Sequence, residues 1–435
     1  MKKIFKIFSY IINSPRFTFF ASHTNLDRDE LSAVRALVGK SDARVIEQFE
    51  NAYATLIGSG SCVAFASARM GFYATMKVLR ISSEDEVILL GATCSVMVNA
   101  VLKVGAKPVF SDIDQKTFGS SLSSIKQCIS DRTKLIVAQH SFGIPCDIEP
   151  IIEFARQKNI CVIEDCALSL GSKINGRILG NFGDVAIFST DHSKPVSTIA
   201  GGVVYSKNEK IIGKIREIQN ESSELNASKQ NGLWKRLLVK RGLVSWPTAF
   251  ARLIDYSDLF FEKCFGIQPP FLTSDYSSKP GHMNYPYPAR LPPFLAQLGI
   301  FEIKKWPQIQ NERKKAKDLY LSLLDKTDVK RFLPTSYRSD DLDIVPLRIC
   351  WSMHNGDLMR EKLSKLIDTG NTWFMRPIIS SEANLEAYGY SWSACPVSES
   401  LGPNMINLPC DIDERSIYKI VETIQMNMET LNESK

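Results

Sequence analysis

Short, continuously apolar runs alternate with segments of helical periodicity between about residues 60 and 206. Such runs predict strands that are buried on both faces, because a half-exposed strand would alternate apolar and polar residues. The predicted strands are DEVILLG (85–91), KPVFSDID (107–114), KLIVAQH (134–140), ICVIEDC (160–166) and DVAIFST (184–190). The predicted helices are 67–80, 95–105, 121–130 and 147–159, the last with Asp147 as its N-cap. This order favours an α/β fold with a mostly parallel central sheet and helices on both faces.

The alternation of predicted strands and helices ends after residue 206. Residues 221–232 are polar and predict a loop, whereas the basic, amphipathic stretch 233–246 predicts a helix packed on the main body. A membrane or partner surface is the alternative for that helix. From about residue 290 a long helix with a break at Pro307, then strands and helices in turn, predict a smaller α+β domain. The predicted units are an N-terminal segment 1–25, a large cofactor-binding domain 26–206, an inserted helical segment 207–280 and a small C-terminal domain 281–435.

Composition narrows the class of protein. The 435 residues are 44% hydrophobic and 23% charged, as in a globular chain with a large core. A net charge of +6 over this length is weak support for nucleic-acid binding, and we predict no such partner. The ten cysteines form no CxxC motif and no Cys/His cluster, which favours a reducing, cytoplasmic setting and no metal site. The segment 1–17 is basic and apolar, and its uncharged run, residues 7–14, is too short to span a bilayer. The segment predicts a helix docked on the protein's own body, with peripheral membrane contact as the alternative.

Candidate chemistry lies at the ends of the predicted strands. Asp165 ends a strand so apolar that its carboxylate needs a cation or donors beside it. Lys194 lies in a Ser/Thr-rich turn before Gly201 and Gly202, and small residues at 65–69 lead into a helix N-terminus that can bind an anion. An acid, an amine and an anion site are what pyridoxal phosphate requires. Taken alone, an aspartate at a strand end is more often a cap or turn residue, and a lysine near a Gly-Gly pair is more often exposed to solvent.

Together these segments resemble the DegT/DnrJ/EryC1/StrS sugar aminotransferases, which are fold-type I enzymes that use pyridoxal phosphate. The resemblance covers about residues 26–206 and 281–425. It is carried mainly by DEVILLGATCSVMVNAVLKVGAKPVFSDID, VIEDCALSLGSKINGRILGNFGDVAIFSTDHSKPVSTIAGG and GHMNYPYPARLPPFLAQL.

The resemblance implies roles for individual residues. Lys194 would be the Schiff-base lysine, and Asp165 the partner of the pyridine nitrogen. Ser189 and the backbone N–H groups of Ala68 and Arg69 would bind the phosphate. The other implied positions are Thr93 and Cys94 beside the cofactor ring and Asn284 from the second subunit of a homodimer with shared active sites. Dehydrases of the family carry histidine at the lysine position, so Lys194 favours transamination.

Several positions depart from the family pattern. Leu168 stands where Gln or His is usual near the cofactor's 3-hydroxyl, and Cys94 replaces an aromatic residue. Pro286 stands in the place of an arginine, and Ala200 in that of a glutamate. Because of these departures, the resemblance does not indicate which sugar is the substrate.

Two histidines lie near the predicted site. His140 ends a predicted strand, where it would either contact substrate or form a structural hydrogen bond. His192 would either shape the turn before Lys194 or line the substrate cleft.

The resulting prediction is a homodimeric aminotransferase that takes its amino group from glutamate and transfers it to a nucleotide-linked ketosugar. The product would serve a surface polysaccharide, an O-antigen or an aminosugar metabolite. The alternatives are a fold-type I enzyme acting on a non-sugar ketone and a non-catalytic scaffold or regulatory protein with the same fold.

Overall fold

The computed structural model describes residues 16–19, 23–245, 274–277, 285–381 and 384–433. Its main feature is a nine-stranded sheet. The strands of this sheet are β1 (Ser61–Phe65), β2 (Glu86–Leu90), β4 (Lys107–Ser111), β5 (Thr133–Gln139), β6 (Cys161–Asp165), β9 (Val185–Ser189), β10 (Gly202–Ser206), β11 (Ser223–Glu224) and β12 (Ala289–Arg290).

The strand order is β11-β12-β1-β10-β9-β6-β5-β2-β4. The five strands from β9 to β4 are all parallel, whereas β10 is antiparallel to both of its neighbours. Successive side chains of a strand point to opposite faces, and every residue of β2 is buried. Both faces of the sheet are therefore covered, as the apolar runs predicted.

Short strands and helices complete the fold. The remaining strands are β3 (Thr93–Cys94), β7 (Lys173–Ile174), β8 (Arg177–Ile178), β13 (Leu342–Asp343), β14 (Arg348–Ser352), β15 (Ile378–Ile379) and β16 (Met405–Pro409). The α-helices are α1 (Arg28–Ala36), α2 (Ala43–Ile57), α3 (Ala68–Val78), α4 (Ser95–Val104), α5 (Leu122–Cys128), α6 (Ile148–Gln157), α7 (Glu209–Glu221), α8 (Ala227–Ser245), α9 (Pro293–Leu324), α10 (Gly356–Leu363), α11 (Pro396–Leu401) and α12 (Glu414–Glu433).

A second hydrophobic core lies in the C-terminal part of the chain. The antiparallel pair β14–β16 packs with α10 and α12 around the buried side chains of Trp351 and Ile406. The long helix α9 joins the two cores, because Phe294 near its start is in the first and Tyr320 near its end is in the second. The α+β character predicted for this region is present; the domain boundaries themselves remain a prediction.

Three details differ from the sequence-based expectations. Helix α9 continues through Pro307, which lacks only one backbone donor, so no break occurs there. Residues 227–232 belong to α8 rather than to a loop, because the Asn226 carboxamide accepts from the Lys229 N–H and caps the helix start. Asp147 does precede α6, but its side chain makes no capping hydrogen bond.

Part of the chain lies outside the described residues. This applies to the predicted N-terminal helix before residue 16, to most of the predicted inserted segment beyond residue 245 and to Asn284. Within the described part of the inserted segment, Leu233, Trp234 and Leu237 of α8 are buried in the main core, which agrees with a helix packed on the body. Among the helices that the structure describes, none is both long and apolar enough to cross a bilayer.

Candidate active site

A cavity of about 750 Å³ lies at the carboxyl ends of the central strands. Gln139 ends β5, Asp165 ends β6 and Ser189 ends β9, and all three line the cavity. Ligands of parallel sheets bind at this edge, because the adjacent loops diverge there and leave a crevice. The fold thus brings together two of the predicted site residues from separate strands.

Asp165 supplies a buried acid to the cavity wall. The residue is 5% exposed, and its Oδ1 accepts a 3.0 Å hydrogen bond from the Ala167 N–H. Burial raises the pKa of Asp165, while the Ala167 N–H and the charge of Lys194 act in the opposite direction. A cation bound against this carboxyl would further favour its ionised form. The position therefore suits a protonated nitrogen heterocycle.

Lys194 faces the same cavity from the turn after β9. It is 7% exposed, and its Nζ lies 4.5 Å from the centre of the Trp373 ring. Burial lowers the pKa of the amine from 10.5 to about 8, against the opposing charges of Asp191 and Asp165. About one tenth of an amine with this pKa is the free base at pH 7. The predicted lysine and acid therefore share one compartment, and the lysine is activated as a base and nucleophile.

The start of α3 forms an anion cradle. Ser67 is the N-cap residue, yet its side chain makes no capping bond, and its buried Oγ has no partner in the described part of the chain. Gly202 pairs with Phe65 on one side and with Ser189 on the other. A Cβ at Gly202 would overlap the backbone of Ala68, so glycine is required for this close approach. The unpaired hydroxyl, the first N–H groups of α3 and Ser189 match the oxygens of a phosphate.

Other predicted cofactor residues divide into two groups. Cys94 and Leu168 line the cavity, and so does Arg69, whose guanidinium pairs with Asp275. Thr93 is buried in β3, where it pairs with Ile378 of β15, and it is not among the lining residues. The Asn284 prediction concerns a residue outside the described ranges.

His140 lies beneath the cavity rather than in it. The residue is fully buried; its Nδ1 accepts a 3.0 Å hydrogen bond from the Cys146 N–H, and its Nε2 lies 3.2 Å from Glu164 Oε2. A nitrogen that accepts an N–H bond carries no proton, so Nε2 is the donor to Glu164. Glu164 in turn accepts from the backbone N–H groups of Gly180, Phe182 and Gly183. This placement corresponds to the structural reading of His140 and not to substrate contact.

His192 lines the cavity with about a third of its side chain exposed. Its Nδ1 lies 2.5 Å from Asp191 Oδ1, and Asp191 also accepts from the His192 backbone N–H. Burial alone would raise the pKa of Asp191, but the histidine charge and these hydrogen bonds lower it instead. Asp191 therefore places a negative charge near Lys194, and His192 is both a turn residue and a wall of the cleft.

The sequence reasoning missed several lining residues, including four charged or aromatic side chains from outside the predicted large domain. They are Arg236 from α8, Tyr276 from the segment 274–277, Arg348 from the start of β14 and Trp373 from the loop before β15. All four are distant in sequence from the strand ends of the large domain, and only the fold brings them to the cavity. A lone arginine opening the apolar run RICW was the only available signal, and it resembles an ordinary strand-end charge.

Comparison with known proteins agrees with this geometry. The family model described as the DegT/DnrJ/EryC1/StrS aminotransferase family matches residues 25–243 and 262–425. The chain is 25% identical over 405 residues to GDP-perosamine synthase of Escherichia coli O157:H7, with 92% of each protein covered. It is 36% identical to UDP-N-acetyl-3-dehydro-alpha-D-glucosamine 3-aminotransferase of Acidithiobacillus ferrooxidans over 39% of this chain and 46% of that one.

A similar fold is found in the solved structure of an aminotransferase from Psychrobacter cryohalolentis. The TM-score is 0.70 at 22% identity, with 95% of this chain and 100% of that chain covered. The mostly parallel sheet therefore has the fold-type I architecture that the resemblance implied. The cavity with its acid, amine and anion cradle fits the cofactor of that fold. The chain belongs to the DegT/DnrJ/EryC1/StrS aminotransferase family and is a pyridoxal phosphate-dependent transaminase.

Proposed function

We propose that this protein transfers an amino group from glutamate to a nucleotide-linked ketosugar, as a homodimer with shared active sites. The observation that carries the proposal is the cavity in which Lys194, Asp165 and the start of α3 converge. The relatives named above act on GDP-linked and UDP-linked sugars by name, which supports the sugar class.

The residues present fit pyridoxal phosphate, and each has a task in holding it. The Ser67 and Ser189 hydroxyls and the N–H groups of Ala68 and Arg69 would bind the phosphate. The Asp165 carboxylate would accept a hydrogen bond from the ring nitrogen and favour its protonated form. The Lys194 amine would provide the covalent attachment, and Cys94 and Leu168 would border the ring. When bound, the cofactor supplies an electron sink for the pair of electrons left at the donor's Cα.

Lys194 then acts as the proton carrier. Its amine has a pKa near 8, so the free base is available at neutral pH and can accept the α-proton of the amino donor. Asp191 and Asp165 stabilise the ammonium that results, since both raise the pKa of Lys194. Burial of the amine excludes water that would compete for the proton.

The proposed homodimer shares its active sites through Asn284. The resemblance assigns this asparagine to the partner's site, so each cavity would be finished by the neighbouring chain. Residues 285–290 after it include β12, which joins the main sheet beside β1.

A two-stage absorbance experiment tests the function. We expect L-glutamate to convert the yellow cofactor form of the purified protein, and a nucleotide-linked ketosugar to restore it. After the 2-oxoglutarate formed from glutamate is removed, GDP-linked and UDP-linked ketosugars should be compared with cyclic ketones and with 2-oxo acids other than 2-oxoglutarate, because 2-oxoglutarate would restore the yellow form by simple reversal. Restoration by 2-oxo acids or cyclic ketones but by none of the sugars would show a non-sugar substrate. Protein that remains colourless with pyridoxal phosphate would instead indicate a non-catalytic descendant.

A further inference from the structure

Gln139 is a polar side chain on the cavity wall that the proposed chemistry leaves without a task. It is the last residue of β5, is 5% exposed and lines the cavity. In the parallel register of β5 and β6 it is paired with Asp165, at the usual spacing of neighbouring strands, about 4.8 Å. Both side chains line the same cavity. A carboxamide therefore stands beside the acid that is proposed to hold the ring nitrogen.

Hydrogen bonds fix the orientation of the Gln139 carboxamide. Its Nε2 donates to the Ala92 carbonyl oxygen at 3.1 Å and to Ser141 Oγ at 3.1 Å. A carbonyl oxygen can only accept, so the atom that faces Ala92 must be the amide nitrogen. The reverse orientation would bring two oxygens together, and neither of them could donate. Both N–H groups of Gln139 are therefore engaged inside the protein.

The oxygen of the same carboxamide has no partner. Gln139 Oε1 accepts no hydrogen bond from any residue that the structure describes, and it is not sealed off from solvent. Because the residue is nearly buried and lines the cavity, the space that reaches this oxygen is the cavity itself. An amide oxygen has two lone pairs and only accepts. It marks a place on the wall where a hydrogen-bond donor of a ligand fits.

The order of the strands indicates which edge of the cofactor faces Gln139. The order is β10-β9-β6-β5, so Ser189 of β9 and Gln139 of β5 lie on opposite sides of Asp165. In pyridoxal phosphate the ring nitrogen is opposite the carbon that bears the aldehyde. The phosphate arm is on one of the two edges between them, and the 3-hydroxyl is on the other. With the nitrogen at Asp165 and the phosphate at Ser189 and the start of α3, the hydroxyl edge is directed towards β5.

Leu168 leaves the hydroxyl in need of a partner. The resemblance places residue 168 near this group, but a leucine side chain has neither a donor nor an acceptor. A hydroxyl that is buried without a hydrogen bond is costly. Gln139 and Leu168 line the same cavity, and the Gln139 oxygen can accept the proton that leucine cannot.

We propose that Gln139 Oε1 accepts a hydrogen bond from the cofactor's 3-hydroxyl and so holds the ring by the edge opposite the phosphate. This inference rests on the cofactor and on the proposed phosphate cradle, and it is independent of the sugar substrate. Because both of its N–H groups are engaged, Gln139 can accept at this place but cannot donate. The contact binds and orients the cofactor, whereas the covalent attachment stays with Lys194.

Pyridoxine 5′-phosphate tests the contact without covalent attachment. It carries the ring nitrogen, the 3-hydroxyl and the phosphate of the cofactor but no aldehyde, so it cannot become attached to a lysine. Calorimetry with the apoprotein compares its affinity with that of 3-deoxypyridoxine 5′-phosphate. We expect wild-type protein to bind the hydroxyl form about 5- to 10-fold more tightly, as one good hydrogen bond implies. Gln139→Met keeps the size of the side chain and should bind the two ligands within about twofold of each other.

Two control variants separate this contact from other effects. Ser189→Ala should weaken the binding of both ligands and leave their ratio unchanged, because both carry the phosphate. Gln157→Met is the matched glutamine control, since Gln157 is exposed and donates only to Glu153, and its two affinities should equal those of wild type. Equal binding of the two ligands by wild type, or an unchanged preference in Gln139→Met, would overturn the inference. Unchanged affinities in Ser189→Ala would instead count against the phosphate cradle.

A second measurement on wild-type protein covers the case in which Gln139→Met does not fold. The analogue 3-amino-3-deoxypyridoxine 5′-phosphate replaces the hydroxyl by an amino group, which keeps a donor at the same place. Because Gln139 offers only an acceptor, we expect this analogue to bind within a few-fold of pyridoxine 5′-phosphate and more tightly than the 3-deoxy form. Binding of the amino analogue as weak as that of the 3-deoxy form would show that the protein donates to the 3-oxygen, and the inference would be wrong.

Discussion

At the scale of single residues, the environment of Lys194 sets its reactivity. An exposed lysine amine titrates near 10.4, whereas burial brings the pKa of Lys194 to about 8. Only the deprotonated amine can attack an aldehyde. We therefore expect the rate at which the apoprotein binds pyridoxal phosphate covalently to rise with pH and to level off above about pH 8. Stopped-flow absorbance across pH 6 to 10.5 measures this, and an inflection near 10 would show that the amine is not desolvated.

Asp165 is the second residue whose charge is specified by its surroundings. Asp165→Asn keeps the shape and the hydrogen bond from Ala167 but removes the negative charge that favours a protonated ring nitrogen. We expect kcat to fall by at least about 100-fold, as when a group that stabilises developing charge is removed.

Asp184→Asn provides the control for this substitution. Asp184 accepts from the Val162 N–H near the opposite end of β6, a bond that the asparagine oxygen can keep. Its kcat should stay within a few-fold of wild type. Steady-state kinetics with both variants would contradict the assignment if they lost activity equally.

At the scale of elements, the approach of β10 to α3 makes the anion cradle. Gly202→Ala would push its Cβ into the Ala68 backbone and displace the N-terminal turn of α3. We expect the affinity for pyridoxal phosphate to fall by about tenfold or more, as the loss of one or two good hydrogen bonds implies. Equilibrium dialysis of the cofactor measures this change.

Gly213→Ala is the matched glycine control. Gly213 lies within α7, and a Cβ there would meet no atom within 4 Å. The substitution should leave cofactor affinity unchanged and raise the free energy of unfolding by about 0.5–1 kcal/mol, because alanine favours the helix. If both variants lost cofactor affinity to a similar degree, the result would contradict a specific role of Gly202 in the anion cradle.

Elements of the large domain could be predicted from sequence because one rule governs them. A strand buried on both faces must be apolar throughout, so β2, β5 and β6 were visible as runs, and their ends located Asp165. The polar composition of residues 227–232 predicted a loop, but these residues are the start of α8. The Asn226 side chain caps that start by accepting from the Lys229 N–H, and composition alone does not reveal such a cap. The contribution of Arg348 and Trp373 was not predictable, because packing between the two cores, not local pattern, brings β14 and the loop before β15 to the cavity.

At the scale of the whole molecule, shared active sites make a prediction about mixed dimers. A Lys194→Ala chain lacks the amine, and an Asn284→Ala chain lacks the residue proposed to serve its partner. A heterodimer of the two retains one complete site. Random mixing should therefore restore about one quarter of wild-type activity from two inactive proteins.

Refolding the two variants together and assaying the mixture measures that recovery. Sedimentation of the wild-type protein should show a dimer under the same conditions. Recovery absent from a mixture that does contain heterodimers would place Asn284 in the site of its own chain or outside any site.

Covalent attachment of the cofactor to one amine is the central claim, and borohydride reduction tests it most directly. Reducing the loaded protein fixes the cofactor on the lysine that holds it, and digestion followed by mass spectrometry identifies the peptide. The account predicts one label per chain, on Lys194 in the peptide that follows β9, and no label in Lys194→Ala. A label on any other lysine, or a loaded protein that gives none, would contradict it.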